Sequence, residues 1–445
     1  MSGKMQRRDF LRKGTMAVLA GTRLKGAATF AQDSPGPAIS ANDKVTLGFI
    51  GMGRMGQSNL KTFMKHPEVE VAAICDVYGT NLDAAARIAG PTAKTLKDFR
   101  HLLEMREIQA VVVSSPDHWH PLHTILACQA GKDVYVEKPV SVCVEEGRRM
   151  VDAARRYQRI VQVGTQQRSG VHFQKAVELV RSGYIGKVSF IRTWNYGNSF
   201  PDGIGNPPDG DPPQDLDWDL WLGPAPKVRF NPNRFGVHPD RWSSFRWFWS
   251  YAGGMMTDWG VHLLDIVQWA MNVEGPSEIV AQGGKLYLQD NRETPDTLQV
   301  TYQYPGFVCV YENRECNGAR LDSHGYGICF HGSQGTMFLD RAGFEITPEK
   351  TAKGVSLCEP LSEKSSNNHN LAHSRNFLDC LRSRQLPICD IEIGHRSSSV
   401  AQLGNIAYRT SSHLFWDPRA EKFRRNKQAK KLLSAKYRKP WKLAV

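Results

Sequence analysis

The chain has 445 residues, 41% of them hydrophobic and 23% charged, with a formal net charge of +13. That length allows two domains, each with its own core. The composition is ordinary for a soluble globular protein, and without an apolar run of roughly 18 residues no transmembrane helix is expected in the mature chain. The charge invites a nucleic-acid reading, but its distribution argues against one: seven Lys/Arg stand against one Asp in residues 1–30, eleven against one Glu in residues 419–445, and the body between is slightly acidic.

Gln6-Arg7-Arg8-Asp9-Phe10-Leu11-Arg12-Lys13 is a twin-arginine pattern. A mildly apolar stretch from Gly14 to Gly21 and a small-residue cleavage site at Thr29-Phe30-Ala31 complete an export signal over residues 1–31. Arg23 and Lys25 interrupt it, so a cytoplasmic basic N-terminus is the alternative to a periplasmic address. Residues 32–43 are a linker by composition. The nine cysteines, odd in number and scattered, read neither as a disulfide framework nor as a zinc site.

From Lys44 strand and helix patterns alternate. Strands are predicted near 45–50, 70–75, 110–114, 133–136 and 160–163, and helices near 54–65, 80–89, 97–105, 119–130 and 143–157. This spacing implies a parallel, Rossmann-type sheet over residues 44–165. The first strand ends in Gly51-Met52-Gly53-Arg54-Met55-Gly56, and the second ends in Asp76, about 20 residues after the last glycine. Gly51 allows the tight turn, Gly53 lets the backbone approach a pyrophosphate, and Gly56 lets the helix pack on the sheet. The helix N-terminus, with Arg54 and Met55, faces the phosphates. Asp76 would accept hydrogen bonds from the ribose hydroxyls and repel a 2′-phosphate, so NAD is favoured over NADP.

Ligands of open parallel sheets sit beyond the carboxyl ends of the strands. Ser115-Pro116-Asp117-His118-Trp119-His120 follows one such end, placing Ser115, Pro116 and His120 near the cofactor, with His118 read as a core histidine. The histidines tempt a metal reading, but no second cluster completes a ligand set. Glu137-Lys138-Pro139 follows the next strand. Lys138 there would hydrogen-bond a substrate hydroxyl and stabilise negative charge on its oxygen as hydride leaves, while Glu137 would orient the nicotinamide ribose.

A second domain is predicted over residues 166–418. Gln166 should turn back over the nicotinamide, with Arg168 as a substrate contact beside it. Residues 197–250 form a long loop rich in Pro, Gly and Asp, then in tryptophan. Trp218 and Trp221 read as pins that hold it to the core. Trp242 to Trp249 divide between that role and sugar stacking, and Trp247 is the candidate substrate contact. Gly253-Gly254 then open a helix carrying Asp258, His262 and Asp265. Asp258 and His262, four apart, share a helical face, and Asp265 reads as structural.

The glycine motif with Asp76, the segment from Ser115 to His120, Glu137-Lys138-Pro139 and the segment around His262 together resemble the glucose–fructose oxidoreductase, inositol dehydrogenase and MocA (Gfo/Idh/MocA) group of NAD(P)-dependent oxidoreductases. The resemblance covers nearly all of residues 44–415. It implies an α/β Rossmann domain followed by an α+β domain with a large open antiparallel sheet, and a sugar, cyclitol or polyol as substrate. It implies catalytic roles for Lys138, His262 and Asp258: His262 as the base that takes the hydroxyl proton, Lys138 polarising the oxygen, Asp258 binding substrate or tuning the histidine. The exposed face of the sheet is implied to pair subunits into a homo-oligomer. The strands expected over 277–347 and helices near 371–383 and 395–411 fit that domain. The basic tail, residues 419–445, carries Phe423, Leu432, Leu433, Tyr437 and Trp441, and wraps back onto the body, binds an acidic polymer or forms a solvated helix, with wrapping and solvation the favoured readings.

Export shapes the functional reading. Outside the cytoplasm there is no soluble nicotinamide pool, so the dinucleotide must stay bound and be reset within each cycle. The main reading is an NAD(P)-dependent oxidoreductase moving hydride between a sugar or polyol carbinol carbon and a tightly bound nicotinamide. Transient oxidation of a sugar hydroxyl, ending in net glycoside hydrolysis or epimerisation, is the alternative. A dinucleotide-binding sensor without catalysis is the third.

Overall fold

The computed structural model describes residues 44–236 and 243–445. The twin-arginine pattern, the 32–43 linker and Trp242 lie outside the described residues. The first layer follows the expected alternation: β1 (Val45–Ile50), α1 (Arg54–Phe63), β2 (Val69–Cys75), α2 (Gly79–Ala89), β3 (Lys94–Leu96), α3 (Phe99–Glu104), β4 (Ala110–Val113), α4 (His120–Gln129), β5 (Asp133–Val136), α5 (Val144–Arg156) and β6 (Val161–Val163). These strands form one sheet in the order β3-β2-β1-β4-β5-β6. All its pairs are parallel, as strands joined by helical crossovers must be. The central strands β4 and β5 are buried along their whole length because helices cover both sides.

The register positions the site. Ile50 pairs with Cys75 and with Val113, and Val113 with Val136. Four strands therefore stop at one level, and the residues that follow them, Gly51, Asp76, Ser114 and Glu137, emerge along a single edge.

The second layer starts with α6 (Val171–Arg181) and β7 (Val188–Tyr196). The long insertion follows, with the short helices α7 (Trp218–Leu222) and α8 (Pro232–Phe235). Next come α9 (Gly254–Asp258), α10 (Gly260–Met271), β8 (Glu278–Gly284), β9 (Thr297–Tyr304), β10 (Phe307–Arg314), β11 (Tyr326–Gly332), β12 (Gly335–Leu339), β13 (Gly343–Pro348) and β14 (Leu361–Lys364). Helices α11 (His369–Ser383) and α12 (Ile391–Thr410), strands β15 (Leu414–Asp417) and β16 (Lys422–Phe423) and helix α13 (Lys427–Lys431) complete it. The ten strands run β14-β13-β12-β11-β7-β10-β9-β8-β15-β16. The sheet is antiparallel except at β10–β7, which run parallel. Its core is the apolar side of the sheet under α6, α10 and α12: Ile191, Val300, Tyr302 and Phe330 pack against Val261, Leu264 and Leu403. The tail wraps back: Tyr437, Trp441, Leu443 and Val445 pack on the core of the parallel layer. Phe423 is buried and Tyr437 and Trp441 are partly buried, which decides for wrapping over a solvated helix.

The expected single helix carrying Asp258 and His262 is broken. α9 ends at Asp258 and α10 begins at Gly260, with Trp259 between them. The insertion has its own apolar cluster of Leu216, Trp221, Phe230, Phe235 and Phe248. Trp218 and Trp221 stack 4.7 Å apart; Trp221 also lies 5.2 Å from the His118 ring of the first layer and pins the insertion there, whereas Trp218 packs on Phe230 and Phe235 inside it. Among the described residues no helix is long and apolar enough to cross a membrane.

Candidate active site

The carboxyl edge of the parallel sheet opens into a cleft of about 1430 Å³. At one end, Gly51 adopts φ +86, and a Cβ there would lie 2.5 Å from the Ser115 nitrogen. A Cβ on Gly56 would fall 1.9 Å from the Gly51 carbonyl oxygen. A Cβ on Gly53 would meet nothing within 4 Å, so the backbone there fronts open space. The Asp76 carboxylate accepts from Met52 N at 2.6 Å, from Tyr78 N at 2.9 Å and from Asn81 Nδ2 at 3.2 Å. Burial raises its pKa and these bonds offset part of the rise. Arg54, Met55, Ser115, Pro116, His120, Glu137 and Gln166 line the same cleft. An open cradle at Gly53 with a tethered carboxylate beside it fits the pyrophosphate and adenosine ribose of NAD.

The supporting bonds are local. Asn59 Nδ2 donates to Glu137 Oε1 and to Ser114 Oγ, both at 3.0 Å, tying α1 to two strand ends. Burial raises the Glu137 carboxyl, and Asn59 and Lys138 pull it back. The His120 ring nitrogens sit 2.7 Å from the carbonyls of Pro139 and Ser115. Burial pushes His120 down to about 4, against the pull of these two carbonyls, which both accept and so favour an N–H on each ring nitrogen. His118 is a core histidine, its Nε2 3.0 Å from the Trp221 carbonyl, which also accepts from Trp119 Nε1 at 2.8 Å.

The other end is charged. Lys138 Nζ donates to Asp258 Oδ1 at 2.8 Å and to the Asp258 carbonyl at 2.9 Å. An ammonium has three N–H groups, so one remains for the cleft. Arg246 Nε donates to the same Oδ1 at 3.1 Å. Burial alone would raise the Asp258 carboxyl, but these two cations hold it well below the usual carboxylate range. His262 lines the cleft, and its buried Nδ1 has no hydrogen-bond partner among the described residues. Burial, then the nearby Lys138 and Arg341 cations, push its pKa well down, so the imidazole is neutral and its basicity is reduced.

Two residues expected to touch substrate are placed elsewhere. Arg168 forms a fork with Asp265, with Nε 2.8 Å from Oδ2 and Nη2 2.8 Å from Oδ1. Its side chain is 6% exposed, and its charge is spent inside the second layer. Trp247 is buried, and its Nε1 donates to Glu315 Oε2 at 3.0 Å, pinning the insertion to the sheet. Asp117, Arg246 and Arg341 are among the cleft residues that the sequence reading did not single out as site residues. Asp117 sits inside a segment already singled out, and burial, eased by Arg246 and Lys138, raises its carboxyl to about 7. Arg246 comes from the insertion and Arg341 from the β12–β13 turn, where no local pattern marks them. Among the described residues no cluster of His, Cys, Asp and Glu could hold a metal ion.

Known proteins resemble this chain in sequence or in fold. A "Glycosyl hydrolase family 109 protein" of Shewanella putrefaciens is 34% identical over 154 residues, 33% of this chain and 34% of the relative. One from Shewanella sp. strain ANA-3 is 30% identical over 204 residues, 41% of this chain and 44% of the relative. The chain thus spans less than half the length of these curated relatives. Among solved structures, levoglucosan dehydrogenase in complex with NADH and levoglucosan superposes with TM-score 0.64 at 17% identity, covering 84% of this chain and 99% of that one. The WlbA dehydrogenase from Bordetella pertussis in complex with NADH and UDP-GlcNAcA gives TM-score 0.62 at 20% identity, with coverage of 84% and 99%. At such identities the likeness is one of fold. Residues 45–165 match the family described as "Oxidoreductase family, NAD-binding Rossmann fold", and residues 178–443 match its "Oxidoreductase family, C-terminal alpha/beta domain". The chain belongs to the Gfo/Idh/MocA family of NAD-binding oxidoreductases.

Proposed function

We propose that the protein oxidises a carbinol carbon of a sugar or polyol with an NAD that stays bound and is reset within each cycle by reducing a second substrate at the same site. One observation carries this reading: an ammonium and a neutral imidazole, Lys138 and His262, line one cleft, with Lys138 anchored by Asp258. NAD⁺, when bound, supplies the hydride acceptor. The remaining Lys138 N–H holds the substrate oxygen and stabilises its negative charge as the carbon loses hydride. His262, neutral and lining the cleft, takes the hydroxyl proton. Asp258, kept anionic, fixes the ammonium in place. The insertion and Arg341 close the cleft from the second layer and limit water.

The glycosyl hydrolase relatives favour a second reading. Oxidation of one hydroxyl acidifies the neighbouring C–H. A glycosidic group is then eliminated, water adds, and the ketone is reduced again, for a net hydrolysis. The twin-arginine pattern supports export of the folded, cofactor-loaded chain to the periplasm, where a retained dinucleotide is required. Exposed Phe190, Val280 and Phe415 on the sheet support pairing of subunits through that layer.

Incubating the NAD-loaded protein with a panel of sugars and nitrophenyl glycosides tests these readings. A lasting rise in reduced-nicotinamide absorbance supports oxidoreduction, and glycoside cleavage without lasting change supports the second reading. No response from a protein that holds NAD would reject both and leave a dinucleotide sensor.

A further inference from the structure

The insertion of the second layer is stitched to the adenosine end of the first. The Asp215 carbonyl accepts from Gly79 N at 3.0 Å, and Asp217 N donates to the Val77 carbonyl at 3.0 Å. Asp215 Oδ2 accepts from Thr80 N at 2.8 Å and from Thr80 Oγ1 at 2.9 Å. Leu216 forms an antiparallel bridge with Tyr78. These contacts fall on the residues that follow Asp76, and they bring Leu220 and Trp221 to line the same cleft as Asp76 and Val77.

The C-terminal tail holds this segment from outside. Arg438 Nη1 donates to Asp219 Oδ1 at 2.7 Å, Nη2 to the Asp219 carbonyl at 2.8 Å and Nε to the Gly223 carbonyl at 3.0 Å. Arg438 N donates to the Pro224 carbonyl at 2.9 Å. Three residues on, Trp441 packs edge-on against Trp119 at 4.9 Å and beside Phe99 at 6.4 Å. Phe99 and Trp119 both line the cleft, whereas Asp215, Arg438 and Trp441 do not.

We propose that residues 213–224 and 437–445 form a strap that closes the adenosine end of the cleft and retains NAD between turnovers. Asp215 and Arg438 are its positioning residues, acting through Leu220 and Trp221. A dinucleotide seated on the glycine turn leaves only when the strap parts from α2. The strap rests on the NAD-retaining reading above and adds to it the device that does the retaining.

The test is the release of radiolabelled NAD⁺ from the full-length protein, chased with excess unlabelled NAD⁺. Arg438→Ala and Asp215→Ala should each release label on the order of ten-fold faster than wild type or more. Arg438→Lys, which keeps one donor, should fall between. Arg375→Ala breaks an ion pair with Glu68 away from the cleft and should lower Tm while leaving release unchanged, which separates strap loosening from general destabilisation. Wild-type retention with unchanged release in Arg438→Ala and Asp215→Ala would overturn the strap alone. A folded wild type that takes up no NAD⁺ would overturn the dinucleotide reading and the strap with it.

Discussion

Two buried cation–carboxylate pairs stand near the same broken helix. Arg168–Asp265 is closed: the guanidinium fork covers both carboxylate oxygens, Ser397 Oγ donates to Oδ1, and the Trp269 ring lies 4.9 Å from the guanidinium carbon. Lys138–Asp258 is open: the side chains are 13% and 11% exposed, both border the cleft, and one ammonium N–H stays unused by Asp258. The chemistry of the two pairs is similar and their burial is close. What separates structure from function here is donor capacity left facing a cavity.

The contrast is broken most severely by removing the groups at the open end of the cleft. Lys138→Ala and His262→Ala should each lower kcat by about a thousand-fold or more while the chain folds and holds NAD, because each removes a transition-state contact of the proposed reaction. Circular dichroism and retained dinucleotide check the fold, and single-turnover absorbance checks the rate. Emptying the closed pair should act on stability instead. Arg168→Ala strands the Asp265 charge in the core and should cost about 3–5 kcal/mol by denaturant unfolding. Replacing both partners, Arg168→Met with Asp265→Leu, should recover much of that loss.

Asp117 tests the open end by pH. In the fold its carboxyl holds a proton up to about pH 7, against an ordinary value of 3.8. Between those values the folded state binds more protons, so this group's share of stability falls as pH rises through the window and is flat above it. Asp117→Asn should remove that descent and be more stable than wild type at about pH 8, by about 1–3 kcal/mol. The smallest effects come from the glycines. Gly56→Ala, packed against Gly51, should lose about 1 kcal/mol or more of stability. Gly53→Ala, facing open space, should leave stability unchanged and weaken NAD binding by about ten-fold, read by calorimetry.

Much of the first layer was legible because its signals are local. Apolar runs, glycine spacing and a terminal acid all lie within one strand–helix–strand unit, and strand register then delivers Gly51, Asp76 and Glu137 to one edge. The second layer was less legible. Spacing put Asp258 and His262 on one helical face; the chain breaks that helix at Trp259, yet both reach the cleft. Arg168 and Trp247 misled because a charge or an indole announces a partner without saying which one. The partners, Asp265 and Glu315, come from 97 and 68 residues further along the chain. Asp117 stood in plain view, but its chemistry comes from burial beside Arg246 and Lys138, which only folding brings together.

The central claim is that Lys138 and His262 act on one carbinol in front of one nicotinamide. Its most direct test is a single-turnover measurement of reduced-nicotinamide absorbance, with NAD⁺-loaded protein and a sugar deuterated at the carbinol carbon. The account predicts a rise that slows on deuteration and vanishes in Lys138→Ala and His262→Ala. A rise at the wild-type rate in either variant would contradict it.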